Sequence, residues 1–324
     1  MMLKRLLLFF GLSQAVIGQE RRIYIDTVTC LDNGEKFWAV QEAYQSAIIR
    51  AGITIEVLRP WAVEGAPINT FDGRIRNVFD LLFGPAHTRS KVVAVYDHLD
   101  RLPELKYMNY EMSNSAWVTA RTMNDIEIRC NGDHIIPHKD PKEPNVNNKD
   151  SITGKSIPDD SLALTLLTPK TSMMAVASLI SPPSGRGWNP KAPEIIAFNP
   201  WHLAISVTDD AIKINQADVE DAATPRMHRW FRNHIPALFG YSSFTPIDLL
   251  DRLESTMLHE LTHTTAGRNT DDVDKPNSYG WRNCLRIQST RNADSIALFA
   301  LAVELIDFYH YDVNAAGELT KFEV

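Results

Sequence analysis

The sequence predicts a single α+β domain over residues 19–324, with a small mixed sheet and two long helices in its C-terminal third. Short β-branched runs bounded by Pro or Gly alternate with stretches of helical periodicity. The two strongest helical patterns, at about 246–266 and 293–310, fall late in the chain. A chain of 324 residues with 44% hydrophobic side chains is long enough to bury one large core, which excludes fibrous and wholly disordered classes.

Residues 1–18 read as a secretory leader and are set aside from the fold. Lys4 and Arg5 form its charged start, Leu6 to Leu12 its apolar run, and Val16-Ile17-Gly18 its small-residue cleavage site. The apolar run is shorter than the roughly 20 residues a bilayer span needs. Nothing later is apolar for long enough either, so the expectation is a soluble, secreted, extracellular monomer with no membrane association after leader removal. The formal charge of −7, more negative still without Lys4 and Arg5, makes nucleic acid an unsuitable partner. Three cysteines in an oxidising compartment leave one disulfide and one spare thiol. Spacing alone assigns no pair; Cys30 with Cys130 is preferred over Cys284, because both flank regular elements outside the catalytic region.

Along the mature chain, Phe37, Val40, Ala43, Tyr44, Ala47 and Ile48 recur at helical spacing and Gly52 follows, predicting a helix over 33–51. Alternating Ile53 to Leu58 predicts a strand, Gly73 to Phe83 a helix, and Val92 to Tyr96 and Ile126 to Arg129 two further strands. Residues 131–160 are polar and rich in Pro, Asn, Lys and Asp, and are expected to form a loop insertion. Its His134 and His138 stand four apart, but Pro137 between them argues against a helical metal pair. Leu162 to Leu167, Met173 to Ile180 and Glu194 to Phe198 are expected to join one mixed sheet, and Thr224 to Phe239 to form a helix.

The stretch from Thr245 carries the chemistry. Thr245 can cap a helix, Pro246 suits its first position, Asp248 completes a box-like cap and Gly267 can end it. Within it lies His259-Glu260-Leu261-Thr262-His263. Four helical steps turn through about 400°, which brings His263 onto the face of His259 one turn away. Two imidazoles so placed can present ring nitrogens to one catalytic Zn²⁺, while Glu260 reaches water at the open coordination position. Three ionisable groups on an otherwise apolar helix would be costly without partners, and a metal supplies them. This HExxH pattern is similar to that of the zincin metallopeptidases, which implies a zincin-like fold with an active-site helix and a closing C-terminal helix.

The third ligand separates the zincin groups. The metzincin continuation is missing, since Ala266 and Asn269 hold its Gly and ligand positions; Glu304 is the thermolysin-like candidate. Thr270-Asp271-Asp272 followed by Tyr279-Gly280 resembles the Gly-Thr-x-Asp-x-x-Tyr-Gly signature of the aspzincins, the deuterolysin and lysine-specific metallo-endopeptidase family. The likeness continues through Trp281 into Asn292-Ala293-Asp294-Ser295 and spans residues 257–300. It implies Asp272 as third zinc ligand and Tyr279 as hydrogen-bond donor to the substrate oxyanion, beside Glu260 as general base. Asn269 replaces the motif Gly, and the stretch from Asp272 to Tyr279 is four residues longer than the pattern, so Asp271 and Asp274 stay open as ligands. Of the acidic pair that receives the substrate Lys in the lysine-specific branch, Asp294 is present but Ala297 stands at the Glu position, so lysine preference is not implied; Asp294 can instead orient a ligand histidine.

The function expected is therefore hydrolysis of protein or peptide substrates by one zinc ion. The competing readings are a binding or effector module that keeps the metal site, and a metal-dependent hydrolase with a non-peptide substrate.

Overall fold

The computed structural model describes residues 20–31, 34–85, 88–108, 113–131, 193–224, 245–274 and 277–323, and the main chain of short strands between 135 and 166. The described strands are β1 (Arg22–Ile25), β2 (Lys106–Tyr107), β3 (Ile126–Arg129), β4 (Ile135–Ile136), β5 (Asn148–Asp150), β6 (Ser156–Ile157), β7 (Ala163–Leu166), β8 (Glu194–Phe198), β9 (Tyr311–Val313) and β10 (Leu319–Lys321). The α-helices are α1 (Thr27–Cys30), α2 (Gly34–Ala62), α3 (Gly73–Phe83), α4 (Arg89–Leu99), α5 (Asn114–Ala120), α6 (Pro200–Thr208), α7 (Gln216–Ala222), α8 (Leu253–His263), α9 (Trp281–Ile287) and α10 (Ala293–Asp307).

The principal sheet is small and mixed, as expected, with strand order β2-β1-β3-β8-β7. The first four strands are parallel, in a register that sets Ile23 beside Ile126 and Ile128 beside Ile196, and β7 runs antiparallel at the edge. Every residue of β8 is buried, as a strand covered on both faces requires. β9 and β10 form a separate hairpin, and β4, β5 and β6 a small antiparallel meander.

α2 is the spine of the helical layer, packing against α4, α8 and α10. Phe79 and Phe83 of α3 meet Phe299 of α10 edge-on, with ring centroids 5.5 Å apart in both pairs. No described helix is long and apolar enough to cross a membrane. A Cys30–Cys130 disulfide joins the end of α1 to the residue after β3, and Cys284 is a free, buried thiol.

Several expectations are corrected. Ile53 to Leu58 is helical, because α2 runs through Gly52 to Ala62. The face begun by Phe37, Val40 and Tyr44 continues as Ala47, Ala51, Ile55, Leu58 and Ala62, all buried. A helical Gly costs about 1 kcal/mol, whereas each buried Ile or Leu returns about 1.5–3 kcal/mol, so the helix continues. Val92 to Tyr96 likewise belongs to α4, where Val92, Val95 and Leu99 share a buried face at helical spacing. Within 131–160, short backbone pairings form around Ile135-Ile136, so the insertion is not wholly irregular. His134, His138 and the strand expected at Met173 to Ile180 lie outside the described residues, as does nearly all of the helix expected at Thr224 to Phe239.

The long helix expected at 246–266 is divided. Ile247–Leu250 is a 3-10 turn, Asp251 is extended, and α8 starts at Leu253. Asp248 folds back to accept from the Thr245 amide and hydroxyl, at 2.7 and 2.8 Å. The amides of Leu253 and Glu254 then bond the carbonyls of Ala211 and Ile212, so α8 takes its first hydrogen bonds from another segment. The closing helix, expected at 293–310, is α10, three residues shorter at its C-terminal end.

Candidate metal centre

α8 turns Leu253, Met257, Leu258 and Leu261 into the core, and its N-terminal Glu254 and Ser255 are held by a buried charge. The buried Arg50 of α2 bonds Glu254, donates to Ser255 Oγ at 2.7 Å, and donates to Glu304 Oε2 of α10 at 2.6 Å. Glu254 also accepts from Ser46 and from the Ile214 amide. Buried charges are tolerated only when paired in this way, and the pairing ties α8 to α2 and α10. It also removes Glu304 as a ligand candidate, because its carboxylate is committed to Arg50.

On the neighbouring face His259 and His263 meet as their spacing predicts, with Nε2 atoms 3.1 Å apart. Asp272 Oδ1 lies 3.2 Å from each of those nitrogens. A tetrahedral ion with bonds of about 2.0–2.1 Å needs ligand atoms about 3.3–3.4 Å apart. The His259, His263 and Asp272 donors therefore have the spacing of one face of such a tetrahedron and can hold a metal ion. Glu260, next to His259 in sequence, is buried close by.

The turn after α8 is built to deliver the third donor. Thr264 leaves the helix in an extended conformation, and the Thr270 amide returns to the Thr262 carbonyl at 3.1 Å. At Gly267 a Cβ would fall 2.4 Å from Thr262 Cα, so only glycine allows this close approach. Asn269 has φ +54°, a left-handed conformation that Asn tolerates better than most residues, which accounts for Asn where the resembled motif has Gly. The Thr270 carbonyl accepts from His263 Nδ1 at 2.9 Å, which turns Nε2 to the side on which Asp272 lies. On the other side, Asp294 Oδ1 faces His259 Nδ1 at 3.5 Å and orients that ring.

The alternatives at the third position separate clearly. Asp271 is paired with Arg291 and Asp274 with Arg286, both on the surface, so only Asp272 turns inward. Tyr279 stacks over His259, with centroids 5.7 Å apart, so Tyr279 is brought to the same site. Burial first, then the charges of Asp272, Glu260 and Asp294 and a hydrogen bond with Asp272, push the phenol's pKa up and keep it a donor. At His259 burial opposes the charged form, but the hydrogen bonds of Asp272 and Asp294 outweigh it and raise the pKa. Asp272 shows the converse: burial works against its charge, yet both histidines hold its carboxyl well below the usual range.

Sequence reasoning missed two contributors. The Thr270 carbonyl is main chain and has no side-chain signature. Asn292, buried against the 273–278 loop, read only as part of the likeness on the last helix. No family model matches the chain, and no characterised protein or solved structure matches it either.

Proposed function

We propose that the protein is a secreted zinc endopeptidase with a zincin-like domain of aspzincin type. The observation that carries this is the convergence of Asp272 Oδ1 on the Nε2 atoms of His259 and His263, each 3.2 Å away, with Glu260 and Tyr279 beside them. Two imidazoles and one carboxylate form a donor set suited to catalytic zinc. Zinc in that position supplies Lewis acidity and lowers the pKa of a water toward about 7.

Glu260 is the general base: its carboxylate takes a proton from water and passes it to the leaving amine. The Tyr279 hydroxyl, kept protonated, donates to the carbonyl oxygen as negative charge develops there. Asp294 and the Thr270 carbonyl hold the two rings in the tautomers that direct Nε2 inward.

A peptide substrate is supported by β7, one of the two outer strands of the principal sheet among the described residues, which packs beside α8. An extended chain can add to such an edge by main-chain hydrogen bonds. Secretion is supported by the leader-like residues 1–18 and by the disulfide, a bond that persists in oxidising compartments.

The test is digestion of a mixed peptide library by zinc-loaded protein, with products read by mass spectrometry. Cleavage that a chelator abolishes and Glu260→Ala loses is the expected result. A folded, zinc-loaded protein that cuts nothing would leave a metal-binding module, not an enzyme.

A further inference from the structure

Asp272 and Tyr279 sit at the two ends of one loop, yet their immediate neighbours are held from outside it. Just before Asp272, Asp271 forms an isolated parallel bridge with Asn292: its amide bonds the Arg291 carbonyl at 2.9 Å, and its carbonyl accepts from the Ala293 amide at 3.0 Å. Just after it, the Val273 amide donates to Asn292 Oδ1 at 3.1 Å. At the far end, Asn292 Nδ2 donates to the Ser278 carbonyl at 3.0 Å, and the Gly280 amide donates to Asp294 Oδ2 at 2.7 Å. Both residues assigned to the chemistry are thus gripped on each side by the start of α10.

Asn292 is fully buried, and both ends of its amide are engaged: the oxygen accepts from Val273, while the nitrogen faces the Ser278 carbonyl, Ser295 Oγ at 3.0 Å and Cys284 Sγ at 3.5 Å. An amide N–H can only donate and a carbonyl can only accept, so these partners fix the side chain's orientation. No other side chain type of this size offers an acceptor to one strand of the loop and a donor to the other.

We infer that Asn292 and Asp294 are positioning residues, which clamp both ends of the 273–278 loop so that Asp272 and Tyr279 meet at one metal site. The inference rests on the metal site proposed above. It explains how a connection longer than that of the resembled motif is accommodated: added residues lie between the clamped ends and leave the ends where they are. Asp294 serves twice, since its second oxygen faces His259.

The test measures zinc affinity by competition with a chromogenic chelator, a readout that does not depend on catalysis. Asn292→Ala removes the side-chain hold on both ends, leaving only the main-chain bridge at Asp271 and the Gly280–Asp294 bond, and is expected to weaken zinc binding about 10–100-fold, the usual effect of removing a group that orients a ligand. Leu58→Ala, buried in α2 and in none of the hydrogen bonds described at the site, controls for general loss of stability and should bind zinc as the parent does. Asn292→Asp keeps the acceptor for Val273 but loses the donor to Ser278, so kcat should fall while zinc affinity holds. Lys275→Gly/Pro276→Gly, between Asp274 and Asn277 in the sequence, should change neither. Unaltered zinc affinity in Asn292→Ala, or a loss in the loop variant matching that of Asn292→Ala, would overturn the clamp. Parent protein that binds zinc but cuts no peptide would sink the peptidase reading alone, and the affinity series would still decide this one.

Discussion

His263 Nδ1 donates to the Thr270 carbonyl at 2.9 Å, so the turn that carries Asp272 inward also fixes which nitrogen of His263 faces it. Ligand and turn are one unit, and removing any donor opens it. His263→Ala and Asp272→Ala are expected to abolish stoichiometric zinc after dialysis, measured by atomic absorption. Asp271→Asn and Asp274→Asn, whose parent carboxylates pair with surface arginines, should retain it. Zinc lost from Asp274→Asn but kept by Asp272→Ala would reverse the ligand assignment.

Glu260 contributes no donor to the ligand triangle, so Glu260→Gln should load zinc normally. If Glu260 is the base, peptide turnover falls by roughly 10²–10⁴-fold. Turnover within a factor of a few of the parent would assign the proton transfer elsewhere.

Arg50 is the counter-charge of two glutamates on two helices, and its loss strands both. Arg50→Met is expected to cost about 3–5 kcal/mol in urea unfolding, the range for one partner removed from a buried ion pair. Adding Glu254→Gln and Glu304→Gln should recover part of that cost. If the triple variant is weaker than the single one, the network is worth more than its charges.

Glu127 of β3 gives the sheet an acid limit. Burial opposes its charge, but Arg129, the Trp117 indole and Arg121 outweigh that and hold its carboxyl below the usual value. A carboxyl with a lowered native pKa stabilises the fold fully above its unfolded value, about 4.3. That stabilisation is lost as pH falls through the native value. Thermal melts from pH 7 to pH 3 should therefore fall less steeply for Glu127→Gln than for the parent, and parallel curves would remove Glu127 from the account.

The site was legible where chemistry and periodicity coincide. His259 and His263 meet because a helix returns after one turn, a geometry independent of the rest of the fold. The choice among Asp271, Asp272 and Asp274 was not legible, since it depends on Arg291 and Arg286 claiming the other two. Ile53 to Leu58 misled because alternation over six residues looks like a strand, although the same residues extend a face that begins at Phe37. β1 was missed because it is only four residues long, too short for a period-2 pattern to show. Asn292 was missed as a positioning residue because an amide's value lies in which main-chain groups come to it, and only the folded loop brings Val273 and Ser278 there.

The Cys30–Cys130 bond closes a ring that contains α2 to α5. If the proposed peptidase activity holds, each molecule also meets its own copies, and a single nick between Cys30 and Cys130 leaves the two fragments covalently joined. Self-digested material should therefore migrate as one band without reductant and as two with it, and such clipped molecules should keep their zinc.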